Sequence, residues 1–474
     1  MNTETTTASP VAGIERDLEA RSAVLKKELG LFDLVLTQIM FVVGTFWVGW
    51  AARLGYEQNL FWILAIVTFY LPLAAAVIFL IRLMPLEGGL YQWSKLAFND
   101  FVGFMVGWNL WVFAITILAS AGLLVTTSIS YSLGPAAAWM KTNPYMITLI
   151  SFLLVIAMMV AAMRGLAFGK WVHNAGGLVH LLTFAILILL PLVALSRATG
   201  AEYRPFAMQF PTFSEYNINV ASKLALGALT GFEYVAILAG ETRAPARNIT
   251  RSVVIAAPII ALMFILGTSA VVAFVPRDQI DLIGPIPQVL TIGFGSSGWV
   301  GMIGSIAVLG IVVRSIALTS IYFTGNTRLP MVAGWDRLLP AWFSRLHPRY
   351  KTPINSILFV GGVALMLGLL SLSGVHAHEA FQVLENAGSV FYSLTYLALF
   401  AIPLFGMKAL GVKAPWWLKI ACASGFLATL IFLRFAIIPI TDVRSPLSFA
   451  LKIIITVLIA NVIGVAIYVL RKRK

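Results

Sequence analysis

Residues 38–49 read QIMFVVGTFWVG, and residues 225–241 read ALGALTGFEYVAILAGE. Each is an apolar stretch interrupted in its middle, the first by Gly44-Thr45 and the second by Thr230-Gly231. Glycine beside threonine continues a helix poorly, because one costs backbone entropy and the other loses rotamer freedom. A single glycine of this kind can also serve only close helix packing. The breaks lie at matching positions five helices apart, which favours another reading. Two five-helix halves in inverted repeat would carry discontinuous helices that expose backbone groups to a solute at the bilayer midplane.

Around these stretches, apolar runs long enough to cross a hydrocarbon core recur at 32–55, 59–82, 102–132, 145–163, 174–196, 217–241, 252–276, 294–325, 354–373, 381–405, 416–437 and 447–470. The expectation is an all-α polytopic membrane protein of about 12 transmembrane helices. Composition agrees: 60% of the 474 residues are hydrophobic, 11% are charged and the mean hydropathy is +0.92, more apolar surface than one water-soluble core can hide. A net charge of +14 would suggest nucleic acid only if the basic residues gathered on a soluble face, and here they sit in short loops. With both termini inside, 23 Lys and Arg fall on the cytoplasmic side and 9 outside, leaving Arg314 within a span. That bias predicts a multi-pass protein of the inner or plasma membrane, with membrane lipid as its solvent and both termini cytoplasmic.

Residues 1–30 are polar and lack the apolar core of a cleaved signal, so they read as a cytoplasmic N-terminal segment. Residues 31–470 form a single transmembrane domain, and RKRK at 471–474 a basic cytoplasmic tail. One cysteine, Cys422, excludes a disulfide framework and a thiolate metal cluster. His376 and His378 stand without further ligands nearby, a weak basis for a metal. No HExxH, GxSxG, Walker A or dinucleotide fingerprint is present, so neither an enzyme nor a cofactor is expected.

Four stretches resemble the amino acid, polyamine and organocation (APC) superfamily of permeases. Pro85-Leu-Glu-Gly88-Gly89-Leu-Tyr91-Gln-Trp93 follows the second span, and Gly231-Phe232-Glu233 with Gly240-Glu241-Thr242-Arg-Ala-Pro245-Ala-Arg247-Asn248-Ile249 ends the sixth. NTRLPMVAGWDRLLPAWFSRLHPRYKTPINS follows the eighth span, and VVGTFWVG lies in the first. In the last, Phe46 stands where the superfamily has a second glycine, and its ring would restrict both backbone and pocket. The resemblance implies a LeuT-like core of 5+5 helices in inverted repeat, at about 32–196 and 217–405, with two peripheral helices at about 416–470. It also implies a secondary transporter of amino acids or related amines working by alternating access, with a small-molecule substrate and H+ or Na+ as coupling ion. Exchange of amino acids, polyamines or organic cations is an alternative, and a transporter-like solute sensor a third.

The candidate substrate site is Gly44, Thr45, Phe46 and Trp47 with Thr230, Gly231, Phe232 and Glu233. A lone charge in an apolar span is normally paired, cavity-facing or functional. For Glu233, beside a break, the functional role is preferred; Arg314 stays open between binding a carboxylate and neutralising Glu233, and Glu385 between function and a structural pair. His180 lies six residues after Asn174, a spacing at which proton-coupled relatives place a lysine, so it is the candidate for proton coupling. Ser315 and Thr319, with Ser320 beside them, are the hydroxyls that would help hold sodium, unless they bond their own helix. Trp108 and Trp111 share a face of the third span and either line the pocket or pack; Gly103 and Gly107 form a packing contact.

Overall fold

The computed structural model describes residues 26–197, 207–295, 298–371, 377–440 and 443–472. Residues 1–25, 473–474 and His376 of the expectations above therefore lie outside it, as does the side chain of His378. Among the described residues ten helices are long and apolar enough to cross a membrane: Gly55–Leu83, Asp100–Leu133, Pro144–Met163, Gly169–Leu192, Glu215–Glu241, Pro245–Phe274, Gly301–Gly334, Phe381–Gly406, Trp416–Phe435 and Pro446–Arg471. The two other expected spans are shorter pieces. The first is a pair of helices, Leu31–Val42 and Trp47–Ala52, and the ninth is Ile354–Ser371.

Span starts are marked by polar caps. The Asn99 side chain accepts from the Val102 amide at 2.9 Å, Asn143 accepts from Tyr145 and Met146 ahead of Pro144, and Ser214 accepts from Asn217. These satisfy amides that a helix start leaves without partners. The eighth span runs to Trp335, some residues past its expected end, because its charges and hydroxyls are satisfied internally. The Arg328 guanidinium pairs with Glu241, while Thr324 and Thr327 donate to carbonyls of their own helix. Two short helices were not anticipated: Leu90–Ala97 after the second span, and Pro285–Phe294 between the seventh and eighth.

The third and sixth spans are the most enclosed, 78% and 94% buried, whereas the twelfth is 17% buried. Lipid therefore replaces protein as the neighbour of the outer helices. The third span packs along the eighth and tenth, the fifth along the eighth, and the first helix against the fifth and seventh. Small residues permit these approaches: a Cβ on Gly176 would lie 2.2 Å from that of Ala317, and one on Gly388 would lie 2.4 Å from Thr116 Oγ1.

The side holding residues 26–30 is called the near side and the opposite one the far side. On the near side the Glu28 and Leu29 amides donate to the Glu241 carbonyl, and the Arg243 amide donates back to Leu29. On the far side Trp50 Nε1 donates to the Leu282 carbonyl and Arg277 to that of Arg53. Both ends of the first span are thus tied down.

Candidate functional site

The two interruptions meet. Helix Leu31–Val42 stops where the Val43 amide bonds Ile39 and the Gly44 amide bonds Val42, and Trp47–Ala52 starts after Phe46. In the sixth span a π-turn, Leu224–Ala228, gives way at Leu229 to the 3₁₀ helix Phe232–Glu241. Gly231 between them has φ +122°, a conformation side chains rarely adopt. A Cβ on Gly231 would stand 2.3 Å from the Phe41 ring and 3.3 Å from Val42, so the second break sits on the end of the first helix. Likewise a Cβ on Gly227 would enter the Trp47 indole. The amides of Thr45, Phe46 and Thr230 have no protein acceptor among the described residues. Such groups are costly in a membrane interior unless a solute or water completes them.

Glu233 is fully buried and held by the tenth span. Its Oε1 accepts the Tyr392 hydroxyl, its Oε2 accepts that of Tyr396 at 2.9 Å, and the Tyr396 oxygen accepts the Gly231 amide at 2.9 Å. Break, phenol and carboxylate form one chain. Phe41 stacks on Tyr234 at 4.1 Å and contacts Tyr322 at 4.6 Å, while Phe113 stacks on Tyr392 at 3.9 Å, giving the site aromatic walls. Tyr396→Phe removes both the acceptor of Gly231 and a donor to Glu233, whereas Tyr392→Phe removes one donor. Initial-rate uptake is expected to fall roughly tenfold in the first and less in the second, since the first loses a bond to the carboxylate and a neutral bond to the Gly231 amide and the second only a bond to the carboxylate.

Arg314 projects from the eighth span to the carbonyls of Met40 at 3.2 Å and Val43 at 2.7 Å. A cation at the open end of a broken helix complements its partial negative charge. Among the described residues Arg314 forms no hydrogen bond with Glu233 and no ion pair. Glu385, fully enclosed on the tenth span, accepts the Ser120 hydroxyl at 3.1 Å. Phe46 has φ −79°, ordinary for any residue, so its Cβ does not strain the break. Its ring meets Trp47 at 4.6 Å and Phe381 at 5.1 Å, closing the far side of the break.

His180 is wholly buried beside Phe184, with the Val43 backbone as the nearest polar group to its ring and the Arg314 guanidinium close by, and no side chain among the described residues bonds its ring nitrogens. Seven residues earlier His173 lies 3.1 Å from Ser320 Oγ. Thr319 donates to the Ser315 carbonyl at 2.7 Å, the within-helix use of a hydroxyl. Asn174 donates to Asp33 at 2.6 Å. Trp108 and Trp111 do not reach the breaks. They line a cavity of about 650 Å³ with Phe359 and Ile463, and Trp108 Nε1 donates to Ala460 of the twelfth span. Gly103 and Gly107 pack against Lys95 and Tyr91 of the short helix.

The sequence reading did not single out Tyr392, Tyr396, Tyr322 or His173. The signal for the first two was a pair of tyrosines four apart on an apolar span, where hydroxyls need partners. That their partner is Glu233 was decided by tertiary packing.

Comparison with known proteins agrees with this geometry. An uncharacterized transporter of Legionella pneumophila is 26% identical over 79% of this chain and 80% of its own length. The branched-chain amino acid permease BcaP of Bacillus subtilis is 24% identical over 73% of this chain and 75% of its own, and a probable agmatine/putrescine antiporter, AguD of Lactococcus lactis, is 22% identical over 93% and 94%. The crystal structure of MhsT in complex with L-phenylalanine superposes with a TM-score of 0.65, covering 86% of this chain and 98% of that one at 16% identity, a likeness of fold. Residues 29–459 match the family described as Amino acid permease. With that match across the paired breaks and the spans around them, the chain is a transporter and not an enzyme, and it belongs to the amino acid permease family.

Proposed function

We propose that the chain is a secondary active carrier of an amino acid or related amine, coupled to protons and working by alternating access. The observation that carries this is the seating of Gly231 on Phe41 and Val42, which brings the second break onto the end of the first helix, beside a break whose Thr45 and Phe46 amides have no protein acceptor among the described residues. Those amides suit a carboxylate, the unwound carbonyls suit an ammonium, and the aromatic walls suit an apolar side chain. Gly44, Thr45, Phe46, Trp47, Thr230, Gly231, Phe232 and Glu233 make up the substrate site in this reading, and Arg314 orders its first half. The helices at 32–196 and 217–405 act as the two repeats, 416–470 flanks them, and the near side faces the cytoplasm of a cell membrane.

His180 is the proton carrier in this reading, because its buried imidazole lies against the Val43 backbone at the first break. Ser315 and Thr319 remain the alternative, as oxygen donors to sodium. Reconstituted vesicles with imposed pH and sodium gradients, offered a panel of amino acids and amines, test the proposal. Accumulation of at least one amino acid that stops when the pH gradient is collapsed is expected, with loss of that dependence in His180→Ala. Uptake that ignores the pH gradient and follows sodium would overturn proton coupling.

Exchange of organic cations is a second reading, favoured by one feature. Arg314 spends its charge on helix carbonyls, which leaves Glu233 and Glu385 as the acidic groups of the region. Saturable exchange of preloaded putrescine or agmatine, without amino acid uptake, would select it.

A further inference from the structure

The near-side end of the sixth span carries more buried acid than base. Glu241 takes a two-pronged contact from Arg328, Nη2 to Oε1 at 2.7 Å and Nε to Oε2 at 3.3 Å. Glu87, 2% exposed, points at the same place from the loop after the second span. Its Oε2 accepts the Gly240 amide at 2.5 Å, and its Oε1 is buried with no hydrogen-bond partner among the described residues. The loop reaches this position because Gly88 and Gly89 have φ +90° and +47°, and a Cβ on Gly89 would lie 2.9 Å from the Ala236 carbonyl carbon. The Gly88 amide donates to Ile237, which fixes the loop against the 3₁₀ helix.

Two buried carboxylates therefore lie near one guanidinium, which pairs with Glu241 and acts on Glu87 only through space. Other charges do not redress the balance. Lys27 acts on Glu87 from a distance, Lys170 pairs with Glu28, and Lys95 pairs with Asp336 and, at 3.8 Å, Asp100. Arg243 donates to the Lys27 carbonyl from an exposed position. Burying a second unpaired carboxylate costs several kcal/mol, and protonation is the ordinary escape.

We propose that Glu87 is a proton-binding site of the near-side gate: it holds a proton while residues 28–29 are paired with 241–243 and gives it up as that side opens. Burial and the Glu241 carboxylate together push the Glu87 acid up to about 8, against the pull of the Gly240 amide, Arg328 and Lys27. In water the same acid sits near 4.3. Between these values the closed form binds a proton that the open form does not, so closure is favoured at low pH and weakens as pH rises, levelling above about 8. Opening at neutral pH would release a proton on the near side. This site is separate from His180 and rests on the reading of the paired breaks as a moving gate.

The test is accessibility of the gate. Leu29→Cys in a Cys422→Ser background is labelled with N-ethylmaleimide in the full-length protein, and each rate is divided by that of the denatured protein at the same pH. The normalised rate is expected to rise with pH by up to about tenfold per unit below pH 8, and to lose that slope in Glu87→Gln, which keeps an acceptor for the Gly240 amide. Glu241→Gln supplies a second arm, since it frees Arg328 to ionise Glu87 and should move the midpoint at least one unit lower. A flat profile in the parent, or an unchanged slope in Glu87→Gln, would overturn the proposal. Labelling does not require transport, so a protein that carries no amino acid or amine would defeat the functional reading and leave this result standing.

Discussion

Gly231→Ala is expected to reduce initial-rate uptake at least about tenfold while the protein still inserts and runs as a single species in detergent. Two costs combine. A non-glycine residue at φ +122° carries strain on the order of 1–3 kcal/mol, and each 1.4 kcal/mol is about tenfold in an equilibrium. The new Cβ would also stand 2.3 Å from Phe41, whose ring is held between Tyr234 and Tyr322 and has nowhere to retreat. Relief would push the two breaks apart and displace the amides of Thr45 and Phe46. Gly411→Ala is the control, because Gly411 also has positive φ, +67°, but meets nothing within 4 Å. Its uptake should stay within about threefold of the parent. Equal losses in both variants would show that backbone strain alone, and not contact between the breaks, produces the effect.

Arg314→Ala is the second large effect. It removes the donors to the Met40 and Val43 carbonyls and leaves both buried at the end of a broken helix, a loss of about 1–3 kcal/mol for each unsatisfied group. Uptake should be abolished and the midpoint of thermal unfolding lowered. Arg314→Lys keeps a cation and rotatable donors at the same helix end, so it should recover a measurable rate with KM within about threefold of the parent. If Arg314 instead held the substrate carboxylate, the lysine variant would show its loss chiefly in KM. Normal uptake by correctly inserted Arg314→Ala would remove both roles.

Much of the architecture is legible in the sequence. Uninterrupted apolar runs declare themselves because lipid forces every backbone group to be satisfied within the helix, so length and hydropathy suffice. The breaks were legible for the converse reason: Gly44-Thr45 and Thr230-Gly231 are local chemistry that weakens a helix wherever it sits. The end of the eighth span was misjudged because Arg328 looks like a loop charge until Glu241, 87 residues earlier, is brought beside it.

By itself, then, the order of residues determined that the chain crosses the membrane repeatedly and that its first and sixth spans are interrupted, since both follow from short-range propensity and from transfer into hydrocarbon. Tertiary structure alone decided which groups complete those interruptions. Tyr396 bridges Gly231 to Glu233, Arg314 caps the first helix, and Glu87 accepts the Gly240 amide at the near end. Each pairing joins residues remote in sequence, and which partner satisfies a buried polar group depends on the packing of helices in three dimensions.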